Sequence, residues 1–409
     1  MPDIAIVGAG ISGLHLALRL QQAGVTTTLY AERTSEEVAA GRPLHLPVRF
    51  GRTRQREREL GVAHWEGREN GTYGVNLVAG GEPDIRFLGR LDEPASGVDF
   101  RLYLPRLTAD YLERGGRVEV LKPEPAEIDR IAPRHDLVVV AAGRAATGLF
   151  ARDEARSPYR TPQRVLTAGL LRGIAPVDPG HIHFQVTEGG EIFSTRILTA
   201  DGPVHGVVVE ALPGGPLERL AAFDHLADPA GFAAELLGLI EKYAPDLRQR
   251  VDAREFGLAK PGDALQGGIT PVVRESWTVL PSGRVALALG DAWVVNDPLT
   301  GQGANLGSRS AFELADLIGE GGPLDEDFAR RAAARLWRIA EPVVGWSNLN
   351  IGPPAEHLGQ IFVTATEDQR VADAFVRNFN DPEAMWEAVK SPEATASWLK
   401  RITEGEETG

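Results

Sequence analysis

The 409-residue chain contains no cysteine. Disulfides, thiolate nucleophiles, iron–sulfur clusters and cysteine-ligated zinc are excluded at once. It also lacks any excess of positive charge. Asp and Glu number 57 against 43 Lys and Arg, for a net charge of −14. Such a field repels phosphate backbones and anionic lipid, so neither nucleic acid nor a membrane is expected as a partner. No apolar run approaches the ~20 residues that a membrane helix needs. No internal repeat and no low-complexity linker interrupts the chain. No basic stretch or cleavage site precedes Ile4-Ala-Ile-Val7, which reads as a strand, and a cytoplasmic address is expected. His181 and His183 share one strand face without a third ligand nearby, so no metal site is expected.

What remains is the balance of a soluble globular protein, 43% hydrophobic and 24% charged. At ~150 residues per domain the length predicts two or three domains. Ile4–Val7, a leucine-rich helix ending near Gly24 and a strand over 25–30 form one β-α-β unit, which must be parallel and right-handed. The stretch 33–65 is rich in Arg and Glu, including Arg49, Arg52, Arg54, Arg56, Arg58, Glu57 and Glu59, and reads as a solvated helix face. Residues 70–81 have hairpin chemistry. A helix opens at Arg101 and closes at Gly115-Gly116. Strands are expected at 118–121, at 136–143 and at 285–290, the second with the continuous apolar character of a strand buried on both faces. Alternating segments over 163–212 suggest an antiparallel sheet. Helices are expected over 229–243, 304–318, 325–346 and 354–379, and a disordered tail over 404–409.

Two motifs carry chemistry. Gly8-x-Gly10-Ile11-Ser12-Gly13 lies between a strand and a helix. Gly8 permits the tight turn, Gly10 lets the backbone approach a pyrophosphate, and Gly13 lets helix and strand pack closely. The helix N-terminus then offers amide donors to phosphates, so an acidic protein can still bind a dinucleotide. The acidic residue that such a unit places on the ribose falls near Ala31, and Glu32, with Arg33 beside it, takes the role with a small shift. An idle, exposed Glu32 is the alternative.

The second motif lies roughly 280 residues on. Leu289-Gly290-Asp291 follows a buried strand, and Asp297-Pro298-x-Thr300-Gly301-Gln302-Gly303-Ala304-Asn305 opens another helix. Asp291 suits a ribityl or ribose hydroxyl, and alone it reads equally as a turn residue. A long cofactor lying between two glycine-rich helix starts explains both blocks together.

These blocks, with Asp99-Phe100-Arg101-Leu102-Tyr103-Leu104 and the strand ending at Gly143, resemble the FAD-dependent aromatic monooxygenases of the p-hydroxybenzoate hydroxylase fold. Leu265-Gln266-Gly267-Gly268 and Asn378-Phe379-Asn380 narrow the resemblance to the epoxidase component of styrene monooxygenase and its indole-oxidising relatives, over nearly the whole chain. The resemblance implies reduced FAD supplied by a separate NAD(P)H-dependent flavin reductase. It implies O2 as co-substrate, a flavin C4a-hydroperoxide, and oxygen transfer to a small aromatic alkene or an indole-type heterocycle. It places Gly301, Gln302 and Gly303 near the isoalloxazine, with Pro298 shaping that loop and Asn305 orienting it or the ring's polar edge. Asp291 then holds flavin hydroxyls, Arg101 contacts the flavin, Gly143 lies near the adenosine half, and Ala304 adds a helix-start amide. No protein nucleophile is required, and keeping water out is the main catalytic task.

The chain departs from the family on the substrate side. Pro43-Leu44-His45-Leu46-Pro47-Val48-Arg49 stands where the epoxidases carry a Leu-Leu-Asn stretch. His45, Pro47, Arg49 and Trp293 are therefore substrate-side candidates. For His45 a structural role is the alternative, for Arg49 a solvated surface position, and for Trp293 plain core packing.

The fold expected is α/β. A discontinuous Rossmann-like FAD-binding domain takes 1–45, 75–160 and 265–325. An antiparallel-sheet substrate domain takes 46–74 and 165–262, and a helical C-terminal segment takes 326–400. Two other functions stay open: a self-sufficient NAD(P)H-dependent aromatic hydroxylase, although the stretch 136–148 lacks the Asp-Gly motif that one uses, and a catalytically inactive flavin-binding protein. Monomer and homodimer are both open.

Overall fold

The computed structural model describes residues 2–67, 70–80, 84–143, 148–353 and 355–405. Two sheets organise them. The first has six strands, in the order Trp277–Val279, Val285–Ala288, Leu137–Val140, Asp3–Val7, Thr26–Ala31, Arg117–Val120. All neighbours are parallel except the edge strand Trp277–Val279. Parallel strands buried on both faces require continuous apolar runs, and Ile4–Val7 and Leu137–Val140 supply them at 0–1% exposure. The register sets Val7 beside Val140 and Val140 beside Ala288. Three chains therefore leave the sheet at one edge, at Gly8, Ala141 and Leu289, where open α/β sheets bind their ligands.

Helix Ile11–Gln22 follows the first strand and buries nine of its residues, His15 among them. An apolar helix of this kind is stable only inside the protein, and helix Gly303–Gly319 packs along it. The two helix starts are thereby brought side by side.

The second sheet has nine strands and is mostly antiparallel. Strands Val165–Arg172, Gly202–Ala211, Gly190–Thr199 and Ile182–Thr187 are adjacent, and the hairpin Gly71–Ala79/Ile85–Gly97 continues the sheet. Residues 75–97, expected with the first domain, thus belong to this sheet, as does Ala264–Gly268. Turn chemistry announced the hairpin but carries no information on which sheet it joins. Ile192, Val207, Val209 and Ala211 face helix Pro229–Tyr243, and Val75, Leu77, Phe87 and Leu91 face the C-terminal helices. Those helices run on through Pro382–Val389 and Pro392–Glu404. Glu404 ends an ordered helix and Gly405 caps it at φ 79°, which corrects the tail reading there. Residues 406–409 lie outside the described residues.

The Arg- and Glu-rich stretch is solvated on one face only, at Arg52, Arg58 and Glu59. Helix Gly51–Glu59 buries Arg54 and Glu57 and is preceded by the buried Arg49. Charge density alone predicts solvent, but complementary partners on other elements allow these groups inside.

Candidate flavin site

Gly8 has φ 121°, and a Cβ there would stand 2.4 Å from the Ala141 backbone. A Cβ on Gly13 would lie 1.9 Å from the Gly8 carbonyl oxygen. Both are obligatory for strand and helix to approach. Gly10 differs, with nothing within 4 Å of its Cβ position, so the turn is open on that side. Helix Ile11–Gln22 has no side-chain cap and no acidic residue in its first turn. Helix Gly303–Gly319 is likewise uncapped and without first-turn acid. Several other helices are capped, by Thr34, Asp99, Asp228, Asp325, Asp368, Asp381 or Ser391. Two uncapped starts leave amide donors for a ligand.

Ser12 joins the two motifs. A Cβ on Gly290 would meet its Oγ at 2.5 Å, and one on Gly307 would meet it at 2.2 Å. The Gly8–Gly13 turn, the Asp291 turn and the second turn of helix Gly303–Gly319 therefore converge. Gly143, at φ 61°, comes within 3.8 Å of the Asp291 Cβ when given a Cβ of its own. Asp291 is half-buried, and its carboxylate has no hydrogen-bond partner among the described residues. An open glycine cradle, two uncapped helix starts and an unengaged carboxylate fit a long dinucleotide with hydroxyl groups.

The glycine-rich loop is held rigidly. Asp297 caps its first turn by accepting from the Leu299 N–H at 3.1 Å, with Pro298 next. Gly301 adopts φ 65°, and its Cβ position lies 3.5 Å from the Phe50 ring. Asn305 uses its whole amide. Its Oδ1 accepts from the Phe50 N–H at 2.9 Å and from the Thr53 hydroxyl at 2.8 Å. Its Nδ2 donates to the carbonyls of Val48 at 2.9 Å and Gly301 at 2.8 Å. Asn305 thus clamps the loop to the segment 48–53. Buried Gln302 donates to the Phe379 carbonyl at 3.0 Å. Gly303 and Ala304 begin the helix without such engagement.

The narrower sequence motifs act as scaffold. Asn380 Oδ1 accepts from the Gly51 N–H at 2.7 Å, and Gln266 Nε2 donates to the carbonyls of Leu220 and Phe223 at 3.1 and 2.9 Å. Phe379 stands against Phe50 (5.7 Å between centroids), Trp346 (5.1 Å) and Phe375 (5.9 Å). This aromatic wall beside Gly301 was foreshadowed only by Asn378-Phe379-Asn380.

The remaining candidates separate. Arg101 is engaged by Asp99 at 2.6 Å and Asp263 at 2.7 Å. Glu32 and Arg33 are exposed beyond the strand end at Ala31. His45 is exposed, its ring 6.0 Å from that of Phe100, and Pro47 is buried. Trp293 is a core residue, edge-on to Trp337 at 6.5 Å. Arg49 is neither solvated nor free for a substrate: it is 1% exposed and both Glu57 oxygens lie 2.5 Å from its Nη1.

That ion pair ends a buried chain the sequence did not reveal. Tyr103 donates to Glu57 at 2.7 Å, His15 Nε2 lies 2.8 Å from the Tyr103 hydroxyl, and His15 Nδ1 lies 2.9 Å from the Ser308 hydroxyl. Burial, then Arg56 and Arg49, lower the His15 pKa to about 3, so the ring is neutral. With Tyr103 donating to Glu57, His15 donates through Nε2 and accepts from Ser308. Burial of Arg49 opposes its charge, but Glu57 and Tyr103 more than reverse the effect.

A second hidden feature lies behind the loop. Glu210 and Asp297 are both buried, and their carboxyls act on each other electrostatically while both Glu210 oxygens and Asp297 Oδ2 lack another hydrogen-bond partner among the described residues. Glu191, directly opposite Glu210 in the sheet, is paired with Arg164 at 2.8 Å. Burial, followed by Asp297, pushes the Glu210 carboxyl well above the usual range. Burial also raises Asp297.

Comparison with known proteins accords with this geometry. Residues 143–250 match the family model described as "Styrene monooxygenase A putative substrate binding domain". The chain is 33% identical over 413 residues to styrene monooxygenase StyA of Pseudomonas fluorescens, covering 97% of each. The chain belongs to the styrene monooxygenase family. It is a FAD-dependent monooxygenase, as the resemblance of its motifs implied. Among solved structures it is similar to a flavoprotein/dehydrogenase from Cytophaga hutchinsonii, with TM-score 0.68, 13% identity, and coverage of 99% of this chain and 100% of that one. It is also similar to PqsL, a probable FAD-dependent monooxygenase from Pseudomonas aeruginosa, with TM-score 0.60, 16% identity, and coverage of 95% and 100%. The fold is the α/β, p-hydroxybenzoate hydroxylase-like one expected. No helix among the described residues is long and apolar enough to cross a membrane.

Proposed function

We propose that this monooxygenase is the oxygenase of a two-component system. It takes reduced FAD from a separate flavin reductase and uses O2 to epoxidise a small aromatic alkene or an indole-type heterocycle. The observation that carries the reading is the convergence of two uncapped, glycine-rich helix starts on Ser12, beside a loop walled by Phe50 and Phe379. When bound, FAD supplies the activation of O2 and the transfer of one oxygen atom.

The chain's own residues do the rest. Amides at Gly10, Ile11, Ser12 and Gly13 receive the pyrophosphate, and Gly8 lets the turn close. Asp291 accepts from flavin hydroxyls near Gly143. Glu32 and Arg33, at the end of the second strand, are placed for the adenosine end. Gly301, Gln302, Gly303 and Ala304 present backbone to the ring, with Pro298 and Asn305 holding the loop. Arg101, already paired with two carboxylates, acts through them to fix its helix start. The aromatic wall excludes water, which protects a reactive oxygen donor from decay. The parallel-sheet half carries the cofactor and the nine-stranded sheet carries the substrate.

The test supplies chemically reduced FAD aerobically with styrene or indole and no reductase. A parallel sample receives oxidised FAD and NAD(P)H. Oxygenated product in the first and no pyridine-nucleotide consumption in the second support the proposal. Direct NAD(P)H oxidation makes the protein a self-sufficient hydroxylase, and FAD binding without product makes it an inactive flavin binder.

A further inference from the structure

A cavity of about 380 Å³ opens on the other face of the nine-stranded sheet from Asp297. The alternation of strand Gly202–Ala211 fixes the face. Glu210 points to the Asp297 turn, whereas Val207 and Val209 pack under helix Pro229–Tyr243. His205 shares the parity of these valines. Arg196, directly opposite His205 on the neighbouring strand, shares the parity of Ile192 on that same face. The volume falls in the range of small-molecule pockets, roughly 300–1,000 Å³.

The lining is a set of hydrogen-bond donors. Arg250 is pinned by the Ala175 carbonyl, through Nε at 3.0 Å and Nη2 at 2.8 Å. Its Nη1 has no protein partner among the described residues. Arg250 Nη2 also lies 3.0 Å from His205 Nε2. An arginine only donates, so Nε2 accepts and the proton of His205 sits on Nδ1. Burial, then Arg250 and Arg196, hold His205 at a pKa of about 3, which keeps this tautomer neutral. Arg196 has neither a hydrogen bond nor an ion pair from its guanidinium among the described residues. Among the described residues no carboxylate lies within ion-pair distance of either arginine, and burial lowers the proton affinity of Arg250. Asp178, the one acidic lining residue among the described residues, is exposed. His181 completes the wall, its pKa lowered by burial and by Arg250.

An anchored Arg250 guanidinium, the neighbouring Arg196 and an imidazole N–H, with no acceptor opposite them among the described residues, are complementary to an oxyanion. We propose that this cavity binds a small molecule bearing a phosphate or carboxylate group, at a site separate from the flavin cleft. Arg196, Arg250 and His205 Nδ1 are the donors that recognise it.

Calorimetric titration of the FAD-loaded protein at constant ionic strength tests this, with inorganic phosphate in one arm and benzoate in the other. Saturable binding of either supports the site, and the arm that saturates names the group. Arg250→Gln would also release Ala175, so Arg196→Gln is the informative variant. It should weaken anion binding about tenfold, while FAD affinity and the anion-free melting temperature stay at wild-type values. If neither anion saturates, or if Arg196→Gln binds as wild type does, the proposal falls.

Discussion

The carboxyl groups of Glu210 and Asp297 meet in the buried seam between the nine-stranded sheet and the turn leading to Gly301. Two carboxyls buried beside each other do not both ionise readily, and they titrate as a unit. Glu210, fully buried, is the protonated partner. Asp297 also caps the loop through the Leu299 N–H.

This pair predicts a pH dependence of stability. Its proton affinity is raised in the folded state, so folding binds a proton more tightly than the unfolded chain does. The stabilisation is full below the ordinary glutamate value and is lost as pH rises through the raised one. Glu191, Arg164 and the Leu299 amide face the pair, and none supplies a second cation to replace the proton. Glu210→Gln keeps a donor toward Asp297 and removes the titration. Its melting temperature should vary less with pH than that of the wild type above the normal carboxylate range. Parallel melting curves for the two proteins would remove the shared proton from the account.

Gly10 and Gly13 should respond oppositely to alanine. Gly10→Ala meets nothing within 4 Å and should leave the melting temperature of the FAD-free protein unchanged while weakening FAD binding. Gly13→Ala drives a Cβ to within 1.9 Å of the Gly8 carbonyl oxygen and should destabilise the fold itself, by about 1–3 kcal/mol. Thermal melts paired with FAD titrations separate the two. Equal loss of stability would contradict the open cradle at Gly10.

Asp291→Ala removes an acceptor whose side chain makes no hydrogen bond among the described residues. FAD affinity should fall by about 1.5–3 kcal/mol, the usual worth of a hydrogen bond to a charged group. Stability without FAD should not change. Flavin fluorescence titration reads this directly, and unchanged affinity would end the role given to Asp291.

Arg49→Met leaves Glu57 buried without its cation and should cost about 3–5 kcal/mol in urea unfolding. The double variant Arg49→Met/Glu57→Met removes both charges and should recover most of that loss. Additive losses would show that the pair does not act as a unit.

The β-α-β unit was legible because its evidence is local: a strand, three spaced glycines and an apolar helix within 30 residues. The second glycine-rich start was legible for the same reason. What joins them was not, since Ser12 meets Gly290 and Gly307 only through the parallel register of distant strands. Arg49 and Glu57 read as surface charge because their burial depends on Tyr103, 46 residues beyond Glu57. Glu210 stood in plain alternation on a strand, but alternation assigns a face and not the partner across it. The sequence shows hairpin chemistry at 70–81, whereas Gly71–Ala79 is a single strand whose hairpin partner is Ile85–Gly97, and its pairing with Ile182–Thr187 is non-local.

The most direct test of the central claim is a single turnover of the protein loaded with chemically reduced FAD and styrene, started with isotope-labelled dioxygen. One labelled oxygen atom in the epoxide, formed without pyridine nucleotide, is the predicted result. Reoxidation of the flavin with no epoxide, or product carrying oxygen from water, would contradict the account.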